Sequence, residues 1–249
     1  MSSKYLVKFY FVTLIIGAIA TTVISLVTEY NNVTVHLFRF EIPEFFLGLV
    51  WIIGYGLLIA TVSQVVFYIY LFINPLGLGI FRRLWPYVQL LLIMYAIFDL
   101  FYLRFFKVGR DHGSTLQFIW IPIIIVIVGF TVAYMKSKQT EGKGVFVPAL
   151  FFMIFMTSLT LLPFISVEDT TWIYRSVFTV LILNAYQLLM LPKYIEDSKQ
   201  DKINRGVTSK ATRNEALNEE KEKEERKRQN KIQRQVKTRS KLKYKNKSR

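Results

Sequence analysis

The sequence predicts an all-α integral membrane protein, a bundle of about six transmembrane helices followed by a basic, largely disordered cytoplasmic tail. Three observations predict it. Apolar residues make up 53% of the 249, and they come in unbroken blocks rather than at the helical or strand period of a soluble domain. Phe9 to Thr28 carries no charge for 20 residues, and Phe45 to Phe81 none for 37; about 20 apolar residues suffice to cross a hydrocarbon layer roughly 30 Å thick. From Pro192 onward the composition reverses, with 20 Lys/Arg and 9 Asp/Glu in 58 residues. Two regions follow, a six-helix membrane domain over 1–192 and a charged tail over 193–249.

The spans are expected near 9–28, 45–73, 86–106, 117–135, 146–166 and 173–191. Backbone amides cannot stay unpaired in lipid, and apolar residues do not alternate at period two, so the spanning elements are helices. Lys4 and Lys8 precede the first span, and Ala18-Ile19-Ala20 resembles a signal-peptide cleavage site. The apolar run nevertheless continues to Val27, which fits an uncleaved anchor. Gly17, Thr21 and Ser25 recur at every fourth position and give this span a small-residue face for close packing.

The second span would be about 43 Å long and must tilt or enter the interface. Asn74-Pro75 is expected to end it, because the residue before a proline is pushed out of the α region. Pro122, Pro148 and Pro163 are expected near span ends, where a missing N–H costs least.

Between the second and third spans lies "FINPLGLGIFRRLWPYVQ". Gly77 and Gly79 are expected to permit a tight re-entry of the chain. Arg82 and Arg83 would meet an anionic leaflet, and Trp85 belongs at headgroup level. A phosphate-binding loop needs G-x-x-x-x-G-K-[ST] and a dinucleotide loop G-x-G-x-x-G, and this stretch fits neither. Its local chemistry is that of a positively charged hairpin.

Orientation follows from the lysine and arginine bias. With the N-terminus inside, the inner side holds eleven such residues near span ends: Lys4, Lys8, Arg82, Arg83, Lys136, Lys138, Lys143, Lys193, Lys199, Lys202 and Arg205. The outer side holds Arg39, Arg104, Lys107, Arg110 and Arg175. Both termini are therefore expected on the cytoplasmic side of the membrane. The segment 100–120, with three cations on the minority side, is the weakest part of this topology.

Polar groups inside spans are expensive and so informative. Gln64, Gln89, Asn184 and Gln187 read as interhelical hydrogen-bond partners, and Asn184 and Gln187, three apart, share a face. Asp99 is charged and away from a span end; it either pairs with Arg104, Lys107 or Arg175 or serves a small transporter or channel. The chain has no cysteine, hence no disulfide framework. His36 and His112 lie in separate loops without a second ligand at metal spacing, and no nucleophile-elbow motif occurs. Glu41 and Glu44, three apart before the second span, and Glu168-Asp169 read as ordinary helix-end electrostatics. No enzyme, metal or cofactor is expected.

In the tail, Glu219–Lys223, Glu222–Arg226 and Glu224–Arg228 sit four apart with the acid first, the order that supports an exposed helix. The acid-free end is expected to be disordered. Arg226, Lys227, Arg228, Lys231, Arg234, Lys237, Arg239, Lys241, Lys243, Lys245, Lys247 and Arg249 form a cationic stretch suited to anionic lipid, at about 1 kcal/mol per charge near the surface. After Tyr194 the tail has one aromatic, Tyr244, which argues against specific nucleic-acid recognition.

Several segments resemble one known family. "VKFYFVTLIIGAIA", "SQVVFYIYLFINPLGLGIF" with its Ser63-Gln64 pair and Gly77-Leu78-Gly79-Ile80-Phe81 element, and Leu84, Trp85, Val88 and Gln89 are similar to the KinB-signalling pathway activation family, the KbaA-like proteins of Firmicutes. The likeness covers roughly residues 4–192 and leaves out the tail. It implies a non-catalytic regulator that a sensor histidine kinase needs in order to feed a sporulation phosphorelay. On that reading Gly77, Leu78, Gly79, Ile80, Phe81, Arg82 and Arg83 become a candidate contact face for a membrane partner such as that kinase. A leaflet-anchoring turn is the plainer reading of the same residues. An accessory role in envelope assembly, for example of teichoic acids, and transport through Asp99 are the alternatives.

Overall fold

The computed structural model describes residues 2–28, 42–106, 115–140, 144–165, 170–204, 218, 221–223 and 225–226. His36, Arg39, Glu41, Lys107, Arg110, His112, Lys143, Glu168 and Asp169 lie outside them. Among the described residues there is no strand. Helix α1 covers Ser3–Thr28 and α2 covers Ile42–Phe81. A 3₁₀ turn at Arg82–Leu84 leads into α3, Trp85–Phe98, which continues as a π-helical stretch over Asp99–Phe106. Next comes α4, Thr115–Thr140. The short α5, Phe146–Phe151, passes through a π turn at Phe152–Met156 into α6, Thr157–Ile165. The last helix, α7, covers Thr170–Asn204.

Five of these helical stretches are long and apolar enough to cross a membrane, and the one over Phe45–Tyr102 contains the turn at Arg82. Contacts fix the directions of the helices. Phe9 meets Phe67 with ring centroids 5.8 Å apart, and Gly17 lies against Gly56 and Ala60, so α1 and α2 are antiparallel. Tyr55 meets Ser176 and Ser63 meets Asn184, so α2 and α7 run parallel. Thr157 meets Asn184, while Phe164 and Trp172 both meet Tyr55, which makes α6 antiparallel to α7.

The face that α1 buries is Phe9, Thr13, Gly17, Thr21 and Ser25, every fourth residue. The face it exposes carries Phe11, Ile15, Ile19 and Val23. Small and polar residues inside with large apolar ones outside reverse the pattern of a water-facing helix, and suit one whose outer face meets lipid. The close approach is real: a Cβ on Gly17 would sit 2.6 Å from that of Ala60, and one on Gly56 2.9 Å from the Gly17 carbonyl oxygen. Thr13 and Thr22 return their hydroxyls to the carbonyls of Phe9 and Ala18, so neither leaves a donor unpaired. At the other end of α1 an aromatic layer of Phe9, Phe67, Tyr70, Phe152, Tyr186 and Tyr194 fills the bundle. The path from α5 through α6 and the apolar part of α7 are the most buried stretches, and α1 and α2 the least.

Several expected boundaries are corrected. Helix α2 does not end at Asn74-Pro75 but runs on to Phe81 with Pro75 inside it. The proline removes one ladder bond, and the contacts of the last turns with α3 hold the helix together beyond it. The turn is not made by Gly77 or Gly79, both helical; Arg82, at φ 47°, takes the left-handed conformation that ends the helix. Pro122 and Pro163 lie within helices α4 and α6 but, as expected, close to the ends of the spans Ile119–Thr140 and Phe146–Phe164. Helix α7 runs on through the change of composition and carries Pro192 within it.

The chain divides into two units, Met1–Tyr194 and Ile195–Arg249. In the second, residues 195–204 complete α7, and positions 218, 221–223 and 225–226 are helical and exposed.

Candidate functional site

Midway along the bundle, α2, α6 and α7 bring their polar residues together. Ser63 donates to Asn184 Oδ1 at 2.8 Å, and Asn184 Nδ2 donates to Thr157 Oγ1 at 2.8 Å. Gln187 Nε2 donates to Gln64 Oε1 at 3.0 Å. All five residues are buried. The local reasons are simple. Ser63 and Gln64 are adjacent in the middle of α2, while Asn184 and Gln187 are three apart on α7 and point the same way. Thr157 begins α6 directly after the π turn, and α6 buries Thr157, Ser158 and Thr160. Each interhelical bond of this kind is worth about 0.6 kcal/mol, so the belt fixes register more than it supplies stability. Tyr68, one helical turn beyond Gln64 on α2, sets its buried hydroxyl against the Gln64 side chain.

Two further polar clusters lie along α2, one toward each end. Near its start, Tyr55 shares a 2.7 Å hydrogen bond with Ser176, whose hydroxyl also reaches the Trp172 carbonyl at 2.6 Å. Arg175, only 1% exposed, stacks its guanidinium over Trp172 at 4.5 Å. Between this cluster and the belt, Thr21 and Thr179 meet at 3.1 Å.

Near its end, Asn74 Oδ1 accepts from Trp85 Nε1 and from Gln89 Nε2, both at 3.0 Å. The Trp85 ring lies directly over Gly77, where a Cβ would collide with it, and stacks with Phe81 at 6.0 Å. Gly79, by contrast, faces open space. Leu78, Ile80, Phe81, Arg82 and Arg83 are exposed around the turn. The hairpin is thus a rigid, indole-clamped corner with an apolar and cationic rim.

The groups named from sequence therefore separate. Gln64, Asn184 and Gln187 come together with Ser63 and Thr157, and Gln89 belongs to the hairpin clamp instead. Asp99 is half-buried at the start of the π-helical stretch, in neither group. Of the tail cations, Arg226 is helical and exposed, and Lys227, Arg228, Lys231, Arg234, Lys237, Arg239, Lys241, Lys243, Lys245, Lys247 and Arg249 lie outside the described residues. Among the described residues no group of three His, Cys, Asp or Glu is placed to hold a metal. The sequence gives Thr157 no role and Asn74 only a place at an expected helix end; a hydroxyl or amide inside an apolar run is the signal that marks both.

A match to the family described as "KbaA: KinB-signalling pathway activation in sporulation" covers residues 17–194. The chain belongs to the KbaA family. The chain is also 36% identical over 196 residues to the KinB-signaling pathway activation protein of Bacillus subtilis (strain 168). That alignment covers 78% of this chain and 98% of the relative. No solved structure matches the chain. The KbaA match takes in the polar belt and the hairpin and stops at Tyr194, where the first unit also ends, so the tail lies beyond it.

Proposed function

We propose that the chain is a non-enzymatic membrane accessory protein that supports a sensor histidine kinase of the KinB type, whose output feeds a sporulation phosphorelay. Membership of the KbaA family over residues 17–194 carries this reading. The apolar blocks support a bundle of six crossings in the cell membrane over 1–192, with the turn at Arg82 separating the second crossing from the third. The lysine and arginine bias supports cytoplasmic termini and a tail over 193–249 close to anionic lipid.

The contact with the kinase is assigned to the hairpin. Helix α2, at 40 residues, is roughly 60 Å long, more than the 40–45 Å of a whole bilayer with its headgroups. At least one of its ends therefore stands clear of the hydrocarbon. The hairpin end presents Arg82 and Arg83 to acidic groups on a partner, with Leu78 and Ile80 beside them. Changing Arg82 and Arg83 together to Gln tests the assignment. Insertion and abundance should stay normal while pathway activation falls; unchanged activation would end it.

One observation favours a second reading. Asp99 opens a π-helical stretch, and such stretches are frequent at functional sites. Transport through Asp99 requires that Asp99→Asn abolish solute flux while the protein stays folded. The accessory reading requires that the same change leave activation intact.

A further inference from the structure

Helix α2 carries two stripes at one seven-residue interval, and the chain itself packs against only one of them. Gly56, Ser63, Tyr70 and Gly77 are buried, against α1, α7, the π turn and the Trp85 ring in turn. On the other side of the helix Trp51, Leu58, Val65, Phe72 and Gly79 recur at the same interval, and every one is exposed. Leu47, Gly54 and Thr61, also seven apart and exposed, alternate with them. Steps of three and four residues in alternation are the pattern of a coiled-coil seam. From Trp51 to Gly79 the seam is about 42 Å long, enough to cross the hydrocarbon layer and reach the hairpin.

Toward the start of α2 the seam opens into a groove of about 890 Å³. Its walls are Leu47, Val50, Trp51 and Leu58, and Gly48 and Gly54 leave gaps between them. Among the described residues no atom lies within 4 Å of a Cβ placed on either glycine. A glycine inside a helix costs about 1 kcal/mol relative to alanine. Gly17, Gly56 and Gly77 offset that cost through contacts that a side chain would block, and Gly48 and Gly54 have no such contact within the chain. Lipid tails require neither a gap nor a seven-residue spacing. A second helix uses both, because a small residue lets two backbones approach closely.

Charge decides which helix fits. The seam ends at Gly79, three residues before Arg82 and four before Arg83, both exposed. Two copies of the chain share one orientation in a membrane, so pairing seam to seam would set these arginines against their counterparts, like charge to like. The chain's own tail is cationic as well. A helix of a different protein, with Asp or Glu at its hairpin end, suits both the groove and the arginines.

We propose that this seam of α2 seats one membrane-spanning helix of a partner protein, crossing at the shallow left-handed angle of a coiled coil, with acidic groups paired to Arg82 and Arg83. The backbones approach most closely at Gly54, between Trp51 and Leu58. The proposal rests on the reading of the hairpin as a partner contact and carries that contact through the depth of the membrane.

Photo-crosslinking tests it on the full chain, in native membranes that also contain a sensor histidine kinase of the KinB type. A photoreactive phenylalanine analogue replaces Leu58 or Val65 in the seam, and Leu78 in the hairpin as a reference. The expected result is capture of the kinase from all three positions, with the Leu58 and Val65 crosslinks mapping to one of its membrane-spanning segments. Gly54→Leu, which meets nothing within the chain, should lower capture from Leu58 by about tenfold at unchanged abundance. Should Gly54→Leu lower abundance, Thr61→Phe carries the same expectation. Capture from Leu78 but not from Leu58 and Val65 overturns the seam and leaves the hairpin reading standing, whereas capture from none of the three overturns both. Crosslinking of Leu58 to a second copy of the chain, or undiminished capture in the bulky variant, also overturns the seam.

Discussion

Ser63 and Asn184, 121 residues apart in sequence, meet at 2.8 Å in the buried middle of the bundle, and Asn184 passes the connection on to Thr157. One amide thereby ties three helices. Asn184→Ala removes both bonds at about 0.6 kcal/mol each and strands two buried hydroxyls, so a total loss of about 1–3 kcal/mol is expected. Ser63→Ala should cost less, since Asn184 keeps Thr157. Denaturation of the two proteins in the same lipid environment checks the order, which reverses if Asn184 is not the hub.

The glycines of α1 and α2 divide into packed and open ones. Gly17→Leu drives a side chain into Ala60 and the Gly56 carbonyl and should separate α1 from α2, with loss of folded protein. Gly54→Ala, where no atom lies within 4 Å of the added Cβ, should be neutral or slightly stabilising. Yields of folded, membrane-inserted protein distinguish the two.

The hairpin repeats this contrast within three residues. Gly77→Ala pushes the Trp85 indole off its seat and weakens its hydrogen bond to Asn74, which a red shift in tryptophan emission would report. Gly79→Ala meets nothing and should leave emission unchanged. A shift of equal size in both would mean that Trp85 does not cover Gly77.

Arg82 pays for its left-handed backbone with about 1–2 kcal/mol of strain that glycine would not carry. Arg82→Gly should therefore raise stability by about 1 kcal/mol while lowering pathway activation, because the charge is lost. Stability and activation measured on one variant separate the turn's geometry from its chemistry. A parallel fall in both would contradict the assignment.

Much of this arrangement could be read in the sequence because lipid makes polar residues conspicuous. The spacing of Gly17, Thr21 and Ser25 marks the packed face of α1, and Gln64, Asn184 and Gln187 stand out in apolar runs as groups needing partners. Their partners could not be read, because the pairing of Ser63 with Asn184 depends on how α2 and α7 are set side by side. The hairpin misled for a physical reason. Local rules place a helix end before Pro75 and a turn at glycine, but the clamp of Trp85 over Gly77 carries α2 to Phe81 and leaves the turn to Arg82. Arginine has no local preference for a positive φ, so nothing in the sequence announces it.

The central claim is that the hairpin meets a sensor kinase in the membrane, and crosslinking tests it most directly. The chain has no cysteine, so Leu78→Cys, exposed near the end of α2, gives a single attachment point in native membranes. The account predicts capture of a sensor histidine kinase, lost when Arg82 and Arg83 are changed to Gln. Capture of envelope-assembly proteins, or of no protein but a second copy of the chain, would contradict it.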